Sequence, residues 1–263
     1  MKNIFTLFIT LTLVVSLVSF VHAKRGSDGQ LNLLYWQAPS TMNPNLSGGT
    51  KELEASSVVI EPLARYDEKG NMLPWLAEEI PTVENGGVSK DLTSITWKIK
   101  KGIKWSDGTK FTADDVVFTY EYCTHPDTGC SHTNYYTGIS SVKALDPHTV
   151  KIEFNVAKPF PYSAFVGYNT PIIQKAQFDG CQGAKAQECT KQNFYPIGTG
   201  PFKVVDFKPN DVIVFEANPN YRDPNKPAFS KMVFKGGGDA TSAARAVLET
   251  GEMDYAWNLQ VET

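Results

Sequence analysis

The sequence predicts a mixed α/β (α+β) fold, in which strands and helices are interspersed and the sheets contain many hairpins. One observation is the strict alternation of apolar and polar residues around Ile95, Trp97 and Ile99, which is typical of a strand with one wet face. Another is Thr112 followed by Asp115 ahead of an apolar run with helical spacing. The chain has 263 residues, 41 % of them hydrophobic, which suffices for a globular core.

A short apolar segment at 31–36 predicts a strand. Residues 37–49 contain two prolines and two glycines and predict a loop. Residues 52–64 have nearly helical apolar spacing, and Pro62 is expected to end or kink that helix. The turn residues 67–70 then predict a hairpin.

The remainder alternates between strands and helices. A strand is predicted over residues 94–100 and a capped helix over residues 113–123. Two hairpins follow, at 141–156 and 203–217, each with turn residues at its centre. The last predicted helix, 240–250, is capped by Asp239, stops at Gly251 and buries four residues. These are Ala243, Ala244, Val247 and Leu248.

The N-terminus resembles an export signal. Lys2 precedes an uncharged, mainly apolar run at 4–21, and Val21-His22-Ala23 fits the small-x-small cleavage rule. We expect residues 1–23 to be a signal peptide cleaved after Ala23, so that the protein is exported. An uncleaved membrane anchor is the alternative for this segment.

Four cysteines in an exported chain favour disulfides. Three pairings are possible, and we favour the local pairs Cys123–Cys130 and Cys181–Cys189, since each closes a short loop rich in turn residues. A zinc site is the alternative. Its ligands would be Cys123, His125, Cys130 and His132, at a spacing unlike that of the common zinc fingers.

The net charge and the sequence motifs limit the classes of function that this chain can have. The formal net charge of −3 argues against nucleic-acid binding, which requires a strong basic excess. The chain has no G-x-S-x-G, H-E-x-x-H or P-loop motif. A secreted hydrolase would therefore depend on loop carboxylates such as Asp107, Asp114 or Asp115.

Six segments in order resemble the extracellular solute-binding proteins of ABC importers that bind peptides, nickel complexes and related solutes. The strongest are TWKIKKGIKWSDG at 96–108 and FTADDVVFTY at 111–120. PIGTGPF follows at 196–202, and NPNYR at 218–222. The opening YWQAPSTMNP at 35–44 and GEMD at 251–254 are similar to two further family segments.

The resemblance implies a periplasmic-binding-protein-like type II fold with two lobes. It implies a monomer without a cofactor that captures a peptide or other small solute and delivers it to a membrane permease from the periplasm. Relatives are considerably longer, so we expect a fragment in which residues 24–250 form most of lobe one. Residues 251–263 would then begin the crossover to a second lobe.

By position against the family pattern, nine residues are predicted to contact the solute. They are Tyr35, Trp36, Gln37, Tyr135, Tyr136, Gly167, Tyr168, Trp257 and Asn258. Aromatic faces and backbone groups would hold a peptide of varied sequence. A peptide-binding protein without a transport role would use the same cleft.

Overall fold

The computed structural model describes residues 24–258 and residue 260. The predicted signal segment, residues 1–23, lies outside the described residues, as do residues 259 and 261–263. Across the described part of the chain, no helix has the length and apolar character needed to cross a membrane.

Strands and helices are interspersed as the sequence predicts. The strands are β1 (Gln30–Tyr35), β2 (Ala64–Tyr66), β3 (Met72–Pro74), β4 (Ser94–Lys98), β5 (Ile139–Asp146), β6 (Thr149–Phe154), β7 (Phe202–Lys208), β8 (Val212–Ala217), β9 (Lys231–Gly236) and β10 (Tyr255–Ala256). The helices are α1 (Thr50–Ser56), α2 (Ala113–Thr124), α3 (Lys175–Phe178), α4 (Thr190–Phe194) and α5 (Ala240–Leu248). Short 3-10 turns span Pro44–Leu46, Thr133–Tyr136 and Gly183–Lys185.

The largest sheet has five strands in the order β10-β1-β9-β8-β7. Strand β1 is parallel to both neighbours, with Leu33 opposite Phe234 of β9 and Tyr255 of β10. Strands β7, β8 and β9 are joined by antiparallel pairing. Because β1, β9 and β10 run in the same direction, their carboxyl ends meet at one edge of the sheet.

A second sheet has the order β4-β6-β5 and contributes buried residues to the main core. Ile95, Trp97 and Ile99 are fully buried, whereas Lys98 is exposed, so the predicted alternation is confirmed. The predicted helix at 113–123 and the hairpin at 141–156 are confirmed by α2, β5 and β6.

The predicted hairpin around residues 67–70 is confirmed by β2 and β3, whose turn is held by Asp67. One Asp67 carboxylate oxygen accepts hydrogen bonds from the Lys69 and Asn71 amides at 2.9 and 2.7 Å. This hairpin projects Arg65 and Tyr66 toward the cavity described below.

The predicted helix over 52–64 is too long, because α1 ends at Ser56. The β-branched Val58, Val59 and Ile60 follow, and such side chains lose rotamer freedom in a helix. The Val59 and Val58 carbonyls accept hydrogen bonds from the distant Gly200 and Phe202 amides, at 2.8 and 3.1 Å, whereas the Ile60 amide still donates to the Ser56 carbonyl at 2.8 Å. Tertiary pairing therefore occupies the carbonyls that a longer helix would use.

Helix α5 confirms the Asp239 cap, whose carboxylate accepts a hydrogen bond from the Ser242 amide at 2.8 Å. Ala243 and Ala244 are buried against Leu34 and Met253. The prediction for the last turn is wrong. Leu248 is the last residue of α5, and its side chain is 63 % exposed because no described element packs over this end of the helix. Val247 is only partly buried.

Both favoured disulfides, Cys123–Cys130 and Cys181–Cys189, are present. The zinc alternative is therefore wrong, because both of its cysteines are consumed in a disulfide. His132 is buried and contacts the Ser47 carbonyl at 3.1 Å, whereas His125 is exposed. Among the described residues, no group of three or more potential His, Cys, Asp or Glu ligands is placed to hold a metal ion.

Candidate binding site

Most of the predicted contact residues lie in two neighbouring regions of the structure, an aromatic cluster and a cavity. Tyr35, Trp36 and Trp257 form an aromatic cluster at the carboxyl edge of the five-stranded sheet, which we call the sheet-edge cluster. Gly167 and Tyr168 line a cavity of about 510 Å³ between α1, β2 and the segment 160–169, together with Tyr135.

The sheet-edge cluster exists because β1 and β10 are adjacent and parallel. Tyr35 ends β1, and the Trp257 amide donates to the Leu34 carbonyl at 2.9 Å directly after β10. The Trp36 and Trp257 ring centroids are 4.1 Å apart. Trp36 is nevertheless 36 % exposed and Trp257 42 % exposed, so both side chains remain partly accessible to solvent.

Gln37 and Asn258 are exposed at the same edge. Asn258 lines a shallow depression with Gly237, Gly238 and Asp239, the residue that caps α5. Polar side chains thus flank the exposed indoles, an arrangement suited to a solute with both apolar and polar groups.

The cavity has a mainly aromatic wall and a few polar groups. The aromatic residues are Tyr66, Tyr135, Phe160, Tyr162 and Tyr168. The polar residues are Glu54, Ser57, Arg65, Ser163 and Asn169. Concave apolar surfaces with few polar groups are typical of sites for small solutes.

Segment 163–169 is held beside β2 by backbone pairing. The Leu63 amide donates to the Phe165 carbonyl at 2.8 Å, and the Gly167 amide donates to the Ala64 carbonyl at 2.9 Å. Phe165 has φ +62° and is fully buried, an uncommon conformation for a bulky residue. Because Phe165 anchors the segment in the core, Gly167 and Tyr168 are presented to the cavity.

The neighbouring Tyr135 and Tyr136 have different environments. The Asn169 side-chain amide donates to the Tyr135 hydroxyl at 2.9 Å, which fixes that ring at the cavity wall. Tyr136 is buried, with its ring centroid 5.5 Å from that of Phe165, and burial raises the pKa of its hydroxyl. Tyr136 therefore supports the wall from behind, whereas Tyr135 lines it.

Glu54 joins the two places. Its carboxylate accepts a hydrogen bond from the Tyr35 hydroxyl, and the same side chain lines the cavity. Burial, followed by the hydrogen bond to this carboxylate, raises the pKa of Tyr35. The sheet-edge cluster and the cavity are thus contiguous across Glu54.

Arg65 is a cavity residue that the sequence does not single out, because its neighbours Ala64 and Tyr66 form an ordinary short strand. Its Nη2 donates to the Ser57 carbonyl at 2.7 Å, and its guanidinium lies 4.6 Å from the centroid of Trp75. Periodicity cannot identify a hairpin residue that faces a cavity, because the position of the hairpin in the tertiary structure determines which of its residues face that cavity.

The carboxylates of the hydrolase alternative have structural roles. Asp115 accepts hydrogen bonds from the Thr112 and Lys175 amides at 2.9 and 3.0 Å, and burial raises its pKa. Asp107 accepts from the Gln174 side-chain amide at 3.0 Å. Asp114 is exposed in the first turn of α2, where it complements the helix dipole. None of the three lines the cavity.

The sequence profile of the bacterial extracellular solute-binding proteins, family 5 (middle region), matches residues 71–263. The chain belongs to this family. The recognition based on the ordered segments is confirmed, and the hydrolase alternative is not favoured.

Two curated proteins are similar in sequence. The oligopeptide-binding protein AppA of Bacillus subtilis is 30 % identical over 217 residues, which are 82 % of this chain and 38 % of AppA. The glutathione-binding protein GsiB of Escherichia coli is 29 % identical over 224 residues, 85 % of this chain and 41 % of GsiB. The chain therefore spans about two fifths of the length of these relatives.

Two solved structures of binding proteins share the fold. AppA in complex with a nonapeptide superposes with a TM-score of 0.77 at 28 % identity, covering 88 % of this chain and 44 % of AppA. NikZ of Campylobacter jejuni in complex with Ni(L-His) superposes with a TM-score of 0.70 at 28 % identity, covering 85 % of this chain and 42 % of NikZ. The predicted periplasmic-binding-protein-like fold is thereby confirmed.

Proposed function

We propose that this protein is the solute-binding component of an ABC importer and captures a peptide or similar small solute. The observation that carries the proposal is the cavity of about 510 Å³ with its aromatic wall, which Glu54 joins to the sheet-edge cluster. Membership of family 5 and the similarity to AppA and GsiB support it.

The solute would lie along the carboxyl edge of the five-stranded sheet and extend one group into the cavity. Tyr35 would act through Glu54, since its hydroxyl already bonds that carboxylate. The other proposed contacts are Trp36, Gln37, Tyr135, Gly167, Tyr168, Trp257 and Asn258. Tyr136 is omitted because it is buried behind the wall.

Residues 24–250 would form most of one lobe and residues 251–263 the beginning of a crossover to another. In such a two-lobe protein, the solute shifts the population toward the closed form because it contacts both lobes only when they are shut. The closed monomer would dock on a permease after export to the periplasm and cleavage after Ala23.

The test is calorimetric titration of the full-length protein with di- to nonapeptides, glutathione and nickel–histidine. We expect saturable binding of at least one class, and Tyr168→Ala should weaken it. Leu145→Ala is the control, because Leu145 is exposed on β5 and does not line the cavity. A protein that binds none of these solutes would refute the proposal.

A transport role is tested separately, since a peptide-binding protein without transport would give the same titration. Uptake of the bound solute is measured in the source organism with and without the gene. Loss of uptake on deletion, restored by the wild-type gene, is expected. Unchanged uptake with intact binding would favour the role without transport.

A further inference from the structure

Arg65 lines the cavity and has no ion-pair partner in the described part of the chain. Arg65 forms no ion pair within 4.0 Å in the described part of the chain, although five other basic side chains there reach a carboxylate within that distance. The nearby acid Glu61 is already engaged by Arg222, at 2.6 and 3.2 Å. Glu54, which also lines the cavity, accepts a hydrogen bond from the Tyr35 hydroxyl. Arg65 therefore has no direct carboxylate partner among the described residues, although the charge of Glu61 acts on it from a distance.

The hydrogen-bonding capacity of Arg65 is also largely unused. A guanidinium has five N–H donors, and the bond from Nη2 to the Ser57 carbonyl is the one that the described residues provide. Its Nε is buried and has no partner among them. Burial lowers the pKa of this guanidinium, the negative charge of Glu61 opposes that shift, and the positive charge of Arg222 adds to it.

A structural role explains only part of this arrangement. Arg65 bonds the carbonyl of the residue that caps the C-terminal end of α1 and stacks on Trp75. Trp75 also contacts Arg222, whose guanidinium lies 5.2 Å from the ring centroid. Neither contact supplies a negative charge, and a partly buried cation without one is costly.

We propose that Arg65 receives a carboxylate of the solute, whose apolar part then lies against the aromatic wall formed by Tyr135, Tyr168 and their neighbours. This inference rests on the proposed function and names the solute class: an acidic solute with an apolar group. A guanidinium suits this task because its planar fork can donate two parallel hydrogen bonds to one carboxylate.

The test compares three tripeptides that differ in their carboxylate. They are Ala-Phe-Ala as the free acid, Ala-Phe-Ala as the C-terminal amide, and Glu-Phe-Ala as the amide, whose carboxylate belongs to a side chain. Affinities for the full-length protein are measured by calorimetry. We expect the first or the third peptide to bind at least tenfold more tightly than the Ala-Phe-Ala amide, which has no carboxylate.

Two variants assign the preference to Arg65. Arg65→Gln should abolish it, and Arg65→Lys should retain part of it because the charge remains while the fork is lost. Arg245→Gln is the matched control, since Arg245 is exposed on α5 and does not line the cavity. Because the preference is a ratio of affinities within one variant, a general loss of stability does not change it.

The outcomes separate the two proposals. If the peptides bind but acid and amide bind equally, or if Arg65→Gln keeps the preference, the assignment of Arg65 is overturned and the proposed function stands. If neither these peptides nor the wider solute set binds, the proposed function fails and the assignment falls with it.

Discussion

The Arg222 guanidinium forms a two-point ion pair with the fully buried carboxylate of Glu61, with Nη1–Oε2 and Nη2–Oε1 distances of 2.6 and 3.2 Å. The Trp75 indole donates to the same carboxylate at 2.6 Å and the Thr199 hydroxyl at 2.9 Å. Glu61 therefore links β3, the 196–202 segment and the 218–222 segment in one satisfied polar network.

Replacing Glu61 with Gln should destabilise the protein strongly. The amide cannot neutralise Arg222, and breaking one partner of a buried ion pair costs about 3–5 kcal/mol. Urea unfolding of the full-length protein measures this. Glu216→Gln is the control, since Glu216 faces Lys203 at 3.8 Å on the exposed surface and should cost less than about 1 kcal/mol. Equal losses for the two variants would contradict the role assigned to Glu61.

Gly198→Ala should also destabilise, because the 196–202 segment packs directly on the backbone after α1. A Cβ at Gly198 would lie 1.8 Å from the Val59 carbonyl oxygen, which cannot move without breaking its bond from the Gly200 amide. Overpacking of this kind costs about 1–3 kcal/mol or more. At Gly48 an added Cβ meets nothing within 4 Å, so Gly48→Ala should leave the melting temperature nearly unchanged.

The Cys181–Cys189 disulfide should stabilise the folded protein by constraining the unfolded chain. Closing a loop of this length contributes about 2–3 kcal/mol in the chain-entropy description. The double variant Cys181→Ala, Cys189→Ala should lose that amount in urea unfolding. Proteolytic digestion of the wild type without reductant should yield the peptides that contain Cys181 and Cys189 linked to each other. Recovery of Cys181 linked to Cys123 or Cys130 would contradict the structure.

The free energy of unfolding should decrease as the pH is lowered from neutral to mildly acidic values, because His132 is buried. Burial lowers the pKa of this imidazole below its ordinary value near 6.5, so the folded state holds it neutral against the Ser47 carbonyl. The unfolded state binds the proton first. The contribution is fully present above pH 6.5 and is lost as the pH falls toward the folded-state pKa.

The measurement for His132 is the unfolding free energy at intervals from pH 7.5 to 5. The wild type should lose stability below about pH 6.5, and His132→Gln should lose less over the same interval. His125→Gln is the control, because His125 is exposed, and it should follow the wild-type curve. Identical curves for wild type and His132→Gln would refute this assignment.

Trp257→Ala should weaken solute binding about tenfold or more, if the sheet-edge cluster holds the solute. Truncating a large aromatic anchor at the centre of a binding surface typically costs this much. Calorimetric titration with the best peptide measures the affinity, and circular dichroism checks that the sheet is intact. Val156→Ala is the control, because Val156 is 71 % exposed and lies outside the cavity lining. Unchanged affinity in Trp257→Ala would remove this cluster from the site.

Local sequence determined most of the regular structure. The Asp115 carboxylate accepts a hydrogen bond from the Thr112 amide, and Asp239 caps α5, as their spacing predicts. The alternation at Ile95, Trp97 and Ile99 set which face of β4 is buried. These features depend on residues within a few positions of each other, so periodicity and capping rules identify them. The two disulfides are also local interactions, because each closes a short loop between cysteines that are near each other in sequence.

Tertiary structure decided what periodicity does not encode. Helix α1 stops at Ser56 because the carbonyls of Val58 and Val59 bond to the distant Phe202 and Gly200 amides. Tyr135 lines the cavity and Tyr136 is buried, although the two are neighbours in sequence. Arg65 faces the cavity only because segment 163–169 pairs beside β2.

The sequence by itself therefore determined the fold class, the family and the capped helices α2 and α5, and it favoured the two disulfide pairs that the structure contains. The tertiary structure decided which of the candidate side chains meet, and it added Glu54 and Arg65 to the site. The physical reason is that capping, alternation and short-loop closure are local interactions. A cavity is instead formed where segments from distant parts of the chain pack together, and its shape is determined by hydrogen bonds such as that from the Gly167 amide to the Ala64 carbonyl.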